Sequence, residues 1–145
     1  MAFFRTIALC MVTLIILAAC SFAPKPGKPQ SIPKSSKSEE LNKGGLFYSA
    51  GITYYEEGEY EPAEKNLNSA LALGLADPGD KIKAHKYLAF IYCVSGRQVL
   101  CENEFKKVFE LDPGFTLSPA EAGHPMWQPV YDKVKSQMAP VKKTP

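Results

Sequence analysis

Residues 54–73 read YYEEGEYEPAEKNLNSALAL, and residues 92–111 read YCVSGRQVLCENEFKKVFEL. Displaced by 38 residues, the two strings align Tyr54 with Tyr92, Gly58 with Gly96, Ala63 with Cys101 and Leu67 with Phe105. The register continues through Ala70 and Val108, Leu71 and Phe109, and Leu73 and Leu111. Apolar and small residues return at three- and four-residue intervals in both copies, the period of one helix face. Helix punctuation agrees: Ser38 precedes Glu39-Glu40, Gly74 follows Leu73, Asp80 precedes a helical run and Asp112-Pro113 reads as a stop. An all-α protein built on two helix-turn-helix units is expected.

The unit resembles the tetratricopeptide repeat, a helical hairpin with a period of about 34 residues. Gly51, Tyr54, Gly58, Tyr60, Ala63, Leu67, Ala70 and Leu71 match its small, aromatic and apolar positions. Leu88, Ala89, Tyr92, Gly96, Phe105 and Pro113 do so in the second copy, where Cys101 and Val108 replace alanines. The extra residues fall in the connection GLADPGD, and His85 stands at a usually aromatic position. The resemblance implies an α-solenoid fragment. In it Gly51 with Ala63, and Ala89 with Cys101, let paired helices approach, while Tyr54, Leu67, Tyr92 and Phe105 fill the space beside them.

Two such hairpins rarely bury a continuous core alone, so a cap is required. Residues 115–138, FTLSPAEAGHPMWQPVYDKVKSQM, are expected to supply capping helices. Ser118-Pro119-Ala120-Glu121 has the capping-box pattern of a helix start. Pro129 starts a further helix carrying Val130, Tyr131 and Val134, with Phe115 and Trp127 as anchors. By analogy with the family, the first helix of each hairpin lines a concave partner-binding surface. That nominates Tyr48, Ile52 and Tyr55, with Lys86 and Phe90, for a peptide or helix partner. The alternative is that Ile52 and Phe90 are buried against the C-terminal helices.

Outward from this domain (39–138) the composition changes. Residues 1–19 have a short positive start and an apolar run, Thr6–Leu17, before Leu17-Ala18-Ala19-Cys20, the pattern of a secretory signal peptide. Twelve residues cover only ~18 Å of a hydrocarbon core of about 30 Å, too little to span it. Leu-Ala-Ala-Cys resembles the bacterial lipobox, which implies acylation of Cys20 and cleavage before it. Several acyl chains anchor stably where one does not. Ser21 after the cysteine suits an outer-membrane destination on the periplasmic face. Residues 20–38 hold four prolines and four lysines and read as an acylated cysteine followed by an unfolded Pro/Lys/Ser tether; at about 3.1 Å per residue it reaches roughly 50 Å. Residues 139–145 read as a flexible tail.

Cys93 and Cys101 flank a Ser-Gly turn, and antiparallel packing sets them roughly opposite each other. An oxidising compartment favours a bridge. Two reduced core residues, a metal site with His85 and His124, and a redox dithiol remain open, although the spacing matches no common zinc pattern and is not CxxC. There is no nucleophile motif, phosphate-binding loop or paired carboxylate with a basic partner, so no enzyme, cofactor, metal or small-molecule substrate is expected. The net charge of +2 gives no nucleic-acid footprint.

With the lipobox, KAHKYLAFIYCVSGR, CENEFKKVFELDPGFTLSPAEAGHP and MWQPVYDKVK resemble the TssQ family of type VI secretion-associated lipoproteins. The resemblance implies a small accessory facing the periplasm near the machine's membrane complex. An adaptor binding an envelope protein is the expectation. A pilotin-like or outer-membrane-assembly lipoprotein, or a cell-wall-associated structural lipoprotein, are the alternatives.

Overall fold

The structure is a computed structural model and describes residues 37–139. Among the described residues five helices follow in order: α1 Lys37–Glu56, α2 Tyr60–Leu73, α3 Pro78–Val94, α4 Gln98–Leu111 and α5 Gln128–Met138. Among the described residues there is no strand. The architecture is all-α, with α1/α2 and α3/α4 as two hairpins and α5 packed on α4.

The 38-residue repeat is a repeat of backbone hydrogen bonds. Gly58 (φ 82°) donates to the Tyr55 carbonyl at 3.0 Å, and Glu59 to that of Tyr54 at 2.8 Å. In the second hairpin Gly96 (φ 72°) donates to Cys93 at 3.1 Å and Arg97 to Tyr92 at 2.8 Å. Both are Schellman closures, which satisfy the last carbonyls of the first helix and need a left-handed residue after it. Glycine meets that need without a Cβ clash. The start of α3 differs from the sequence expectation. Asp77, not Asp80, caps it, accepting from the Gly79 N–H at 2.8 Å, with Pro78 opening the first turn. Proline there has its φ preset and no N–H to lose.

The first hairpin closes on glycine. A Cβ on Gly44 would lie 2.0 Å from the Gly74 carbonyl oxygen, and one on Gly51 would lie 2.7 Å from Leu67 Cγ. Gly45, the next residue, has nothing within 4 Å of that position. Gly44→Ala is therefore expected to destabilise by about 3 kcal/mol, the top of the usual overpacking range, because backbone must move. Gly45→Ala should instead gain about 0.5–1 kcal/mol from helix propensity. Urea denaturation of both variants measures the contrast.

The centre of the fold is α3. Leu88 to Cys93 are all buried, as befits a helix covered on every side. One side meets the first hairpin, the other α4 and the C-terminal segment. Arg97 joins the hairpins, donating to both carboxylate oxygens of Glu64 at 3.0 and 2.6 Å. The cap is anchored where Trp127 stacks on Phe90, ring centroids 4.2 Å apart. Its Nε1 donates to the Glu121 carbonyl at 2.9 Å. Tyr131 packs against Phe105 and Phe109 and donates to the Phe115 carbonyl at 3.0 Å. Val130 and Val134 are buried beside it, and Phe115 is half-buried.

Two sequence expectations are corrected. Ser118–Glu121 does not open a helix; residues 119–127 form turns. The Glu121 carboxylate accepts from the Ser118 N–H at 3.0 Å, half of a capping box, but its other oxygen holds Lys86 of α3. Gly123 (φ 80°) and Pro125 then end any helical run within a turn. Tyr54 is 38% exposed, whereas its counterpart Tyr92 is 6% exposed. Tyr92 has the first hairpin's Asn68 at its hydroxyl, 3.4 Å away, and Arg97 over its ring. No described hairpin precedes the first to cover Tyr54 in the same way.

Candidate functional site

The five residues nominated for a partner surface separate into two groups. Tyr48, Ile52 and Tyr55 lie on α1, half-buried, against the core. Tyr55 sits 4.6 Å from Tyr87 and 6.5 Å from Phe90, ring to ring. Burial, and next the neighbouring Tyr60 and Tyr87 hydroxyls, push the Tyr55 phenol up to about 12. Burial and then the Asp80 carboxylate push Tyr48 further in the same direction. Both are neutral phenols at physiological pH, so they offer ring surface and a hydroxyl but no charge.

Lys86 and Phe90 are not on a surface, and the nomination is corrected for both. Phe90 is 1% exposed and Lys86 9%, because the segment after α4 folds over them. Trp127 covers Phe90, and the Lys86 ammonium is paired with Glu121 while lying 4.4 Å from the Tyr87 ring centroid. A buried lysine is tolerated only when its charge is partnered. Glu121 supplies that partner from 35 residues away.

α1 also carries an open apolar position. Leu46 is 67% exposed. It borders a groove with Leu41, Gly45, Ser49, Ala76 and Asp80. A second groove, of about 450 Å³, runs between α1 and α2, with Phe47, Tyr54 and Pro62 as its apolar wall. The sequence pattern held a signal for it, since Phe47 and Tyr54 stand seven positions apart and so share one stripe of a helix. Leu46 gave no such signal, because an apolar residue in a helix reads as core.

Cys93 and Cys101 form a disulfide, Cα atoms 5.2 Å apart, tying the end of α3 to the first turn of α4. Closing so short a loop removes about 2.5 kcal/mol of entropy from the unfolded chain in the loop-closure model. The histidines are apart and each is engaged in packing. His124 stacks on Trp127, centroids 3.5 Å apart. His85 Nδ1 lies 2.6 Å from Glu104, which also accepts from Lys107 at 2.7 Å. Among the described residues no group of three His, Cys, Asp or Glu converges on a metal position.

Glu104 and Glu121 make folding acid-sensitive. Burial works to raise both carboxyls. For Glu104 the His85 and Lys107 hydrogen bonds outweigh it, and for Glu121 those from Lys86 and Ser118 do, leaving both below their ordinary range. A depressed folded pKa gives stability that is complete above the unfolded value of about 4.3 and lost as pH falls through the folded value. The urea midpoint is therefore expected to fall from pH 6 to pH 3, and more shallowly in Glu104→Gln.

Cys20, the expected signal peptide (1–19), and all of the expected tether and tail except Lys37, Ser38 and Ala139 lie outside the described residues. None of the described helices is long and apolar enough to cross a membrane. Comparison with protein-family models, curated proteins and solved structures returns no match to the chain.

Proposed function

We propose that the chain is a lipid-anchored adaptor, held by acylated Cys20 on the periplasmic face of the outer membrane. It joins an envelope protein to the membrane complex of a type VI secretion system. The observation that carries the protein-binding part is the asymmetry of the helical stack. One face of its last hairpin is covered by Trp127 and α5, although Val99 and Leu100 stay exposed on α4, while α1 of its first hairpin keeps Leu46 and two bordering grooves uncovered. Stacked hairpins present extended faces to other proteins, and a partner helix laid on α1 buries Leu46 with Leu41. The lipobox and the proline-rich stretch after it supply the anchor and the reach. The choice of secretion machine rests on the TssQ resemblance.

The test is photo-crosslinking in cells from a benzoylphenylalanine placed at Leu46, with adducts identified by mass spectrometry. The expected adduct is an envelope component of the secretion machine. Repeated recovery of the protein without any such adduct contradicts the adaptor role.

A further inference from the structure

The two ends of the disulfide are unequally placed. Cys101 is 0% exposed and Cys93 5% exposed. Cys93 also lines a groove of about 310 Å³, walled by Gly96, Gln98, Pro125, Met126 and Pro129, and Cys101 does not. None of the groove's lining residues carries a charge, so no carboxylate stands there to repel an anionic nucleophile. Met126 is exposed at its rim, and beyond the Gly96 backbone the space is open. Thiol–disulfide exchange requires a thiolate to reach one of the two sulfurs, and access helps decide which is attacked.

We propose that Cys93 is a thiol-exchange site, entered through this groove by a low-molecular-weight thiol, and that the bridge is opened and closed through its sulfur. The groove is at the small end of ligand pockets, which begin at about 300 Å³, and so suits a thiol of a few residues. The incoming thiolate attacks Cys93 Sγ. The bond between the two cysteines breaks, a bond to the incoming sulfur forms, and the Cys101 sulfur leaves with the electron pair and takes a proton. The incoming thiol is thereby oxidised to a mixed disulfide on Cys93, and Cys101 is reduced. In the reverse direction the Cys101 thiolate attacks Cys93 Sγ of that mixed disulfide, restores the bridge and expels the thiol.

The helix ends favour the same direction. Cys101 stands in the first turn of α4 and Cys93 in the last turn of α3. Helical side chains lean toward the N-terminus, where unpaired N–H groups favour a departing thiolate; the carbonyl end of a helix does not. Attack on Cys93 thus expels the sulfur that is better placed to leave. Neither the exchange nor its test depends on the anchor or on the adaptor role.

The experiment incubates the full oxidised chain with reduced glutathione, quenches early samples with acid and alkylates the free thiols. Trypsin cuts after Arg97 and so separates the two cysteines for mass spectrometry. In the folded protein at least fivefold more glutathione is expected on Cys93 than on Cys101, with the alkyl group on Cys101. In urea that unfolds the chain the preference should fall below twofold. Met126→Ala, which widens the mouth of the groove at an exposed position, should raise the initial rate at least threefold. Adducts mainly on Cys101, an equal division in the folded chain, or no adduct short of unfolding overturns the proposal. An unchanged rate in Met126→Ala overturns entry through the groove.

Discussion

Replacing Trp127 with alanine is expected to destabilise the helical domain by about 3–5 kcal/mol, the range for truncating a buried tryptophan. At this domain size that lowers Tm by ~15–30 °C. The size of the effect follows from what the indole does. It stacks on Phe90, whose ring is in edge contact with Phe105, and fastens the preceding turns through the Glu121 carbonyl. Its loss uncovers the centre of α3 and loosens the segment that neutralises Lys86. Trp127→Phe keeps the ring stack and loses the Nε1 hydrogen bond, so it should cost only about 1 kcal/mol beyond the smaller ring. Circular dichroism melts measure both. Trp127 is the chain's single tryptophan, so fluorescence of the unsubstituted protein reports cap opening directly. A Trp127→Ala variant that melts within a few degrees of the parent contradicts the capping role.

The second large effect concerns the membrane. On the anchored reading Cys20→Ser removes the sulfur that accepts the lipid, and with it the cut that frees residue 20. Each buried methylene contributes about 0.8 kcal/mol and a single acyl chain binds only marginally. Removing all of them therefore abolishes partition of the mature domain into the bilayer. The expected result in fractionated cells is either soluble protein or an uncut precursor, with no acylated species. A serine variant that matches the parent in both membrane fraction and mobility contradicts the anchor.

Much of the fold was legible because it repeats. A register of 38 positions aligns Gly58 with Gly96, and both take the left-handed backbone conformation that a Schellman closure requires. Ala63, Leu67, Ala70, Cys101, Phe105 and Val108 read as core from their spacing and are fully buried. The partner surface was far less legible, for a reason visible at Lys86. A lysine on an amphipathic pattern is assigned to solvent. What moves it inside is Glu121, in a segment with no helical period, and no local pattern encodes a pairing across 35 residues. The same long-range contact turned Ser118–Glu121 from an expected helix start into a clasp. Tyr54 misled in the opposite sense. It sits in register with buried Tyr92, but register cannot tell which end of a stack is left open.

The central claim is that a bridged helical domain is held at an outer membrane through Cys20. Intact mass spectrometry of the protein extracted from membranes, without reductant, tests it in one spectrum. The account predicts a chain beginning at residue 20, heavier by a diacylglyceryl group and a further acyl chain, and lighter by the two hydrogens of the Cys93–Cys101 bridge. A chain still beginning at Met1, or a cleaved chain carrying no lipid, contradicts it.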